Sequence, residues 1–552
     1  MSDNETMRQE GSGLASKLWN MANTLRGKMD ASEYQNYILG FIFYRYLSQK
    51  QNKWLASMNL LDKREGETTQ QAYARSFEED GADLWRQAIA RDLGYVIDPR
   101  YTWTALVAKI RNHEIHADDF TGMLAQFRDN AKLNQQASHD LSGMFDEINL
   151  NASGLGNDLP SRTKALSALV EQIDSIDFVD GSSHDIIGDV YEYLIAEFAS
   201  GAGKKAGEFY TPHAVSKVLA GLVTHTTPDA SVQSRKAIEN ENELFTVYDP
   251  AMGSGSLLLT VGDELKGGGR PGRVRYYGQE LIRSTYNMAR MNLIMHGVDW
   301  QWMRLNNADT LGTDWPSTEE NGRETPLSVD AVVMNPPYSA RWDNDKSRIK
   351  DPRFKEYGKL APASKADYAF LLHGLYHLKP SGRMAILLPH GVLFRTGTEE
   401  TIRKTLLERN YIDAVIGLPA NLFHSTGIPT CVLVLRKDKK DHDVLFIDAS
   451  QHFEKAKKQN RLREEDVELI LDTYANRTDV DKLAHVATYQ EIQDNESNLN
   501  IPRYVDTFEP EERIDLDQVN EELAETDKQI AELEAKFNAL AADLVETRAT
   551  ED

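Results

Sequence analysis

Cysteine is almost absent: Cys431 stands alone among 552 residues. A single thiol permits no intrachain disulfide and no thiolate metal cluster within the chain, which fits a reducing setting. Long hydrophobic runs are missing as well. The run Ile38 to Tyr44 stops at Arg45, and the amino terminus is polar and acidic, without a signal-peptide pattern. Together these absences predict a cytoplasmic protein with no membrane contact. Basic charge is scarce: 62 Lys and Arg against 86 Asp and Glu leave a net charge of −24. Phosphate contacts dominate affinity for nucleic acid, so such a chain is a poor DNA ligand by itself. No metal-ligand cluster stands out, nor a nucleophile beside a base, so neither metal nor covalent catalysis is expected.

The charge that is present is unevenly spread. Residues 506–552 carry sixteen acidic and four basic residues, a net of −12. Residues 341–365 form a basic island of Arg341, Lys346, Arg348, Lys350, Arg353, Lys355, Lys359 and Lys365, opposed by four acids. The tail also carries Leu516, Val519, Leu523, Thr526, Ile530, Leu533, Phe537, Leu540 and Leu544 at alternating spacings of three and four. That is a heptad seam, which a lone helix cannot bury.

The chain divides into three parts. Residues 1–165 are predicted helical, with apolar residues at helical spacing through Leu18, Met21 and Leu25 and again through Tyr34, Ile38, Ile42 and Tyr46. A stretch rich in Asn, Gly and Ser around Asn149 to Pro160 marks a boundary. Residues 166–475 open with an amphipathic helix over 184–198 and a Gly-Lys loop from Ser200 to Gly207. Strands are predicted at Leu244–Tyr248, Val274–Gly278, Ala331–Met334, Arg383–Leu388, Ala414–Leu418, Cys431–Leu435 and Val444–Ile447, with helices between most of them. The alternation predicts an α/β fold with a doubly wound, mostly parallel sheet. A Gly-Ile-Pro loop in place of a helix predicts an antiparallel hairpin at one edge. Residues 476–552 form the third part, a tail with a coiled-coil-like helix for subunit docking.

The sharpest motif is Asn335-Pro336-Pro337-Tyr338, directly after the apolar strand Ala331–Met334. Two prolines fix their own φ and lack N–H groups, so they end the strand in a rigid corner. The corner lies at a strand's carboxyl end, where open α/β sheets place ligands. It offers an amide, a free carbonyl and an aromatic face. An exocyclic amine on adenine is a poor nucleophile because its lone pair is delocalised into the ring. Two acceptors, the Asn335 side-chain oxygen and the Pro336 carbonyl, would localise that lone pair, while Tyr338 stacks on the ring. A base inside a duplex reaches such a corner only when flipped out.

A second constellation suits a nucleoside cofactor. Asp249 ends a strand and leads through Gly253, Ser254, Gly255 and Ser256 into a helix. The glycines let the backbone turn tightly and approach a ligand. A third glycine, which a pyrophosphate-binding turn would want, is missing. An acidic strand end is poor for phosphate but suits the sulfonium and amino groups of S-adenosylmethionine. Glu280 ends the next predicted strand, where a carboxylate can take both ribose hydroxyls. Asp309 ends the following segment and can meet the adenine amino group of a cofactor.

In this order, Gly207-Glu208-Phe209-Tyr210-Thr211-Pro212-His213, Asp249 to Ser256, Glu280, Asp309 and Asn335 to Tyr338, the chain resembles the S-adenosylmethionine-dependent amino-methylating DNA methyltransferases. With Leu499-Asn500-Ile501-Pro502-Arg503-Tyr504-Val505 and the helical first part, it resembles the modification subunit of type I restriction–modification systems. The resemblance implies methylation of adenine N6 in double-stranded DNA. It implies Asn335, Pro336, Pro337 and Tyr338 as catalytic residues, and a cofactor site of Glu208, Phe209, Tyr210, Thr211, Pro212, His213, Asp249, Gly253, Ser254, Gly255, Ser256, Glu280 and Asp309, with Phe209, Tyr210 and Thr211 on the methionine side. On sequence alone, Thr211-Pro212 reads as a helix start with Thr211 capping. The resemblance also implies a separate specificity subunit with two copies of this chain per copy, joined by a restriction subunit. The heptad helix and Leu499–Val505 are the docking candidates. The alternative acceptors are a protein glutamine amide or an exocyclic amine in RNA.

Overall fold

The computed structural model describes residues 31–549 apart from 59, 177, 179–186, 202–210, 226–242, 266–273, 321–322, 424–425, 457–458 and 508–515. The helical first part is as expected. Helix Ala31–Ser57 buries Tyr34, Ile38 and Ile42, whose spacing of four puts them on one face. Leu18, Met21 and Leu25 lie outside the described residues. Helix Leu159–Asp174 runs across the boundary expected at residue 165 and packs Leu166, Val170 and Ile173 into the core shared with Tyr34 and Ile42. The Asn149–Pro160 stretch is tied to that body too, since the Tyr37 hydroxyl donates to the Asn149 carbonyl at 2.5 Å.

Eleven strands follow among the described residues: β1 Phe245–Asp249, β2 Val274–Glu280, β3 Met303–Asn307, β4 Ser317–Glu320, β5 Arg323–Pro326, β6 Val329–Met334, β7 Leu378–Pro389, β8 Ile412–Gly417, β9 Thr430–Arg436, β10 Val444–Asp448 and β11 Ala484–Ala487. β4 and β5 pair as a separate hairpin; the other nine form one sheet in the order β11-β10-β8-β9-β7-β6-β1-β2-β3. All seven expected strands are there. Five of the runs, in β6, β7, β8, β9 and β10, are buried end to end, which is why they read as continuous apolar segments. β3 escaped because it is an edge strand that alternates buried and exposed residues over a polar Met-Arg-Leu-Asn-Asn sequence.

The expected hairpin exists, between β8 and β9, but it is not at an edge. β9 inserts between β7 and β8 and runs antiparallel to both, and all seven of its residues are buried. The antiparallel edge strand is β11, paired to β10.

The chain leaves β1 for β2 and β3 on one side, then returns to β6 on the other. This reversal is the switch point at which doubly wound sheets open a crevice beyond their carboxyl ends. The register Val247↔Ala331 and Tyr248↔Val332 sets Asp249 beside the residues that lead into Asn335. Helices His213–Thr224, Ser256–Glu264 and Arg283–Met295 close one face of the sheet in the same core as the helical first part. Helices Asp367–His377 and Thr398–Glu408 cover the other.

Residues after 476 were expected to form a tail, yet β11 belongs to the sheet. Leu499, Ile501, Tyr504 and Val505 are buried in the second core, and Tyr504 stacks on Phe446 with ring centroids 3.8 Å apart. Burial removes Leu499, Ile501, Tyr504 and Val505 from the docking candidates, while Pro502 and Arg503 stay exposed. Asp506–Asp552 forms a separate compact unit. Its helix, Leu516–Ala549, leaves Val519, Leu523, Ile530, Leu533, Phe537 and Leu540 exposed. No helix among the described residues is long and apolar enough to cross a membrane.

Candidate active site

Asp249 is the last residue of β1, and the chain turns there within one short loop. Ala251 N–H donates back to the Asp249 carboxylate at 2.9 Å, and Gly255 N–H to the Met252 carbonyl at 2.8 Å. Gly253 and Gly255 hold φ of 53° and 79°, the left-handed region that side chains disfavour. At Gly255 a Cβ would also stand 2.6 Å from Leu293 Cδ1. Glu280, ending β2, accepts from Gly253 N–H at 3.2 Å and Ile282 N–H at 2.8 Å, so the two strand ends are bonded to each other. Asp309 is exposed and accepts from Leu311 N–H at 3.0 Å, while neighbouring Thr310 donates to the Pro250 carbonyl at 2.5 Å.

These residues wall a cavity of about 230 Å³. Of the candidates read from the sequence, Thr211, Asp249, Gly253, Ser254, Ser256, Glu280, Asp309, Asn335 and Pro337 line it. Pro212, His213, Gly255, Pro336 and Tyr338 are not on its wall. Glu208, Phe209 and Tyr210 lie outside the described residues. Asn335 is held from one side: its amide nitrogen donates to Thr211 Oγ1 at 2.9 Å. Thr211 therefore does not cap the following helix, which begins at His213 with Pro212 at the cap and no side-chain capping bond.

The cavity is acidic, and no basic side chain lines it among the described residues. Burial pushes the Asp249 carboxyl up to about 8, helped by the nearby Glu280 charge and opposed by the Ala251 N–H. Burial also raises Glu280, against the pull of three backbone N–H groups. Among the described residues neither carboxylate pairs with a basic side chain.

Tyr338 is set differently from expectation. Its ring meets Phe423 edge-on, centroids 6.3 Å apart, and packs against the first core. Its hydroxyl is buried with no hydrogen-bond partner among the described residues.

Known proteins of the same build identify the fold and its chemistry. Residues 182–513 match the family model for N-6 DNA methylase, and residues 14–173 match that for the HsdM N-terminal domain. The chain belongs to the N-6 DNA methylase family. It is 35% identical to the type I restriction enzyme MpnII methylase subunit of Mycoplasma pneumoniae, over 97% of each chain. It is 30% identical to the MjaVII methylase subunit of Methanocaldococcus jannaschii, over 90% of this chain and 79% of that one. A solved type I methyltransferase subunit from Streptococcus thermophilus superposes with a TM-score of 0.79 at 42% identity, covering 90% of this chain and all of the other. The protein is thus an adenine-N6 DNA methyltransferase of the type I modification-subunit kind. Protein-glutamine and RNA acceptors find no support among these relatives.

Two features of the methylase escape a first reading of the sequence. Leu281 and Ile282 line the cavity yet are 67% and 42% exposed. The signal was available, as a branched apolar pair directly after a strand end, where polar turn residues are usual. Behind the cavity lies a buried polar chain. Arg353 donates to His373 Nδ1 at 3.0 Å. His373 Nε2 meets the Tyr248 hydroxyl at 2.8 Å, and that hydroxyl donates to Gln279 Oε1 at 2.5 Å. A guanidinium can only donate, so His373 must carry its proton on Nε2. Burial, with His377 and Arg353 beside it, keeps that imidazole neutral by holding its pKa well below the usual range.

This chain also corrects the basic island. Arg353 is 1% exposed, bridged to Asp351 at 2.7 Å and bonded to the Thr310 and Gly312 carbonyls. Arg348 donates to the Leu311 carbonyl. Both brace the loop beneath the cavity. Arg341, Lys346, Lys350, Lys355 and Lys359 stay exposed.

Proposed function

We infer that the methylase binds S-adenosylmethionine in the cavity beyond β1 and β2 and receives a flipped adenine of double-stranded DNA at the Asn335 corner. The observation that carries this is the pair of buried carboxylates, Asp249 and Glu280, with no basic partner among the described residues, on the same wall as Asn335. Buried charge without a partner is costly, and a ligand with sulfonium and ammonium charge removes that cost. Gly253 lets the backbone come close to it, Glu280 has lone pairs left for ribose hydroxyls, and Leu281 and Ile282 offer apolar surface for its ring. The bound cofactor supplies the methyl group.

Asn335 and the Pro336 carbonyl accept the two hydrogens of the adenine amine and return its lone pair to nitrogen. Tyr338, whose hydroxyl has no partner among the described residues, turns away from Phe423 to stack on the base, worth about 1–3 kcal/mol. Orientation supplies most of the rate. Sequence is read by a separate specificity subunit, which takes two copies of this chain through the exposed heptad helix; a restriction subunit completes the assembly.

Equilibrium dialysis with labelled cofactor, beside a methyl-transfer assay, tests the site. Asn335→Ala abolishes transfer and spares cofactor binding, while Gly253→Asp loses both. An active Asn335→Ala enzyme removes that residue from the mechanism.

A further inference from the structure

Thr211 and Asn335 are 124 positions apart and meet through one hydrogen bond, Asn335 Nδ2 to Thr211 Oγ1 at 2.9 Å. Both are followed by proline. A residue before proline is confined to extended backbone, because the ring clashes with its N–H and Cβ. Thr211 is stiffened again by its β-branch, which limits χ1. The bond therefore joins two side chains whose backbones have little freedom to turn.

An amide has two ends with opposite roles: the oxygen accepts and the nitrogen donates. The target amine must present its hydrogens to an acceptor if its lone pair is to return to nitrogen. An amide turned the other way would offer N–H groups to that lone pair and quench it. Thr211 engages the nitrogen end, so the oxygen end remains for the substrate. Its hydroxyl is not spent on the helix that follows, whose cap makes no side-chain bond. Thr211 also lines the cavity together with Asn335, so the bond sits where the reacting groups gather.

We propose that Thr211 is the positioning residue that fixes the Asn335 amide with its oxygen toward the adenine amine, rather than a residue that binds the cofactor. The inference rests on the Asn335 role stated above. It assigns the work of the Thr-Pro pair to the acceptor side of the reaction.

The test uses the full chain in its native complex, with Thr211→Val, Thr211→Ser and Asn335→Ala. Single-turnover methyl transfer to duplex DNA is measured alongside the dialysis constant for labelled S-adenosylmethionine. Thr211→Val, nearly the same shape without the hydroxyl, is expected to lower the transfer rate about tenfold, the scale of one hydrogen bond. Its cofactor constant stays within about twofold, and Thr211→Ser restores most of the rate. Equal losses of cofactor affinity and rate in Thr211→Val would make Thr211 a cofactor ligand and overturn the proposal. So would an unchanged rate. If Asn335→Ala itself stays active, the Asn335 reading falls first and the Thr211 proposal falls with it.

Discussion

With its carboxyl 1% exposed and pushed up to about 8, Asp249 is held against its own ionisation. The folded protein binds that proton more tightly than the unfolded chain, whose aspartate titrates near 3.8. Stability contributed at this site is therefore present below the unfolded value and is lost as pH rises from about 4 to about 8. A cationic ligand reverses the preference, because it binds the ionised form. Two outcomes follow from one residue. Cofactor affinity, measured by calorimetry across pH 6 to 9, rises toward pH 8, with a slope of at most about tenfold per pH unit. Asp249→Asn raises the thermal midpoint of the ligand-free protein at pH 8, with the gain shrinking toward pH 5, and loses cofactor binding. An Asn variant less stable than the parent at pH 8 would show that the carboxylate is compensated after all.

At the scale of elements, what could be read depended on how each one is buried. Five strands buried on both faces announced themselves as apolar runs, and the chain's punctuation marks where the sheet meets the cavity: Asp-Pro after β1, Asn-Pro after β6. What stayed hidden depended on partners far away in sequence. Nothing local says that Thr211 serves Asn335 rather than its own helix, that Tyr338 lies edge-on to Phe423, or that β9 inserts beside β7. The loop after Asn335 shows the same limit. Eight basic residues look alike in sequence, but Arg353 is interior and Lys350 and Lys359 are not. The two kinds should separate on mutation. Arg353→Ala leaves Asp351 and the His373 chain without their donor and destabilises the protein by about 3–5 kcal/mol, the cost of breaking a buried pair. Lys350→Ala and Lys359→Ala leave the unfolding midpoint in denaturant unchanged. Both lysines are exposed on the loop that follows Asn335 to Tyr338, where the backbone carrying a flipped base would pass, so in the assembled complex each substitution lowers the slope of log affinity against log salt by about 0.9, one phosphate contact each. A salt slope that moves with Arg353 and not with the lysines would reverse the assignment.

On the scale of the whole molecule, the acidic charge and the apolar stripe lie in one place. Residues 506–552 carry −12 of the net −24 and form their own compact unit. Within it Leu523, Leu533, Phe537 and Leu540 are each more than half exposed. A stripe of that size on a monomer marks an interface, and a spacing of 3.5 fits a helix of the same kind. The last buried apolar residue before this unit is Val505, so a chain ending near residue 510 keeps both cores intact. Its thermal midpoint and cofactor constant should match those of the full chain, and it should fail to co-purify with the specificity subunit. Leu533→Glu and Phe537→Glu, on an exposed face, should shift stability by no more than about 0.5 kcal/mol while producing the same loss of assembly. Recovery of the partner at normal yield with the shortened chain would place the interface on the remaining body instead.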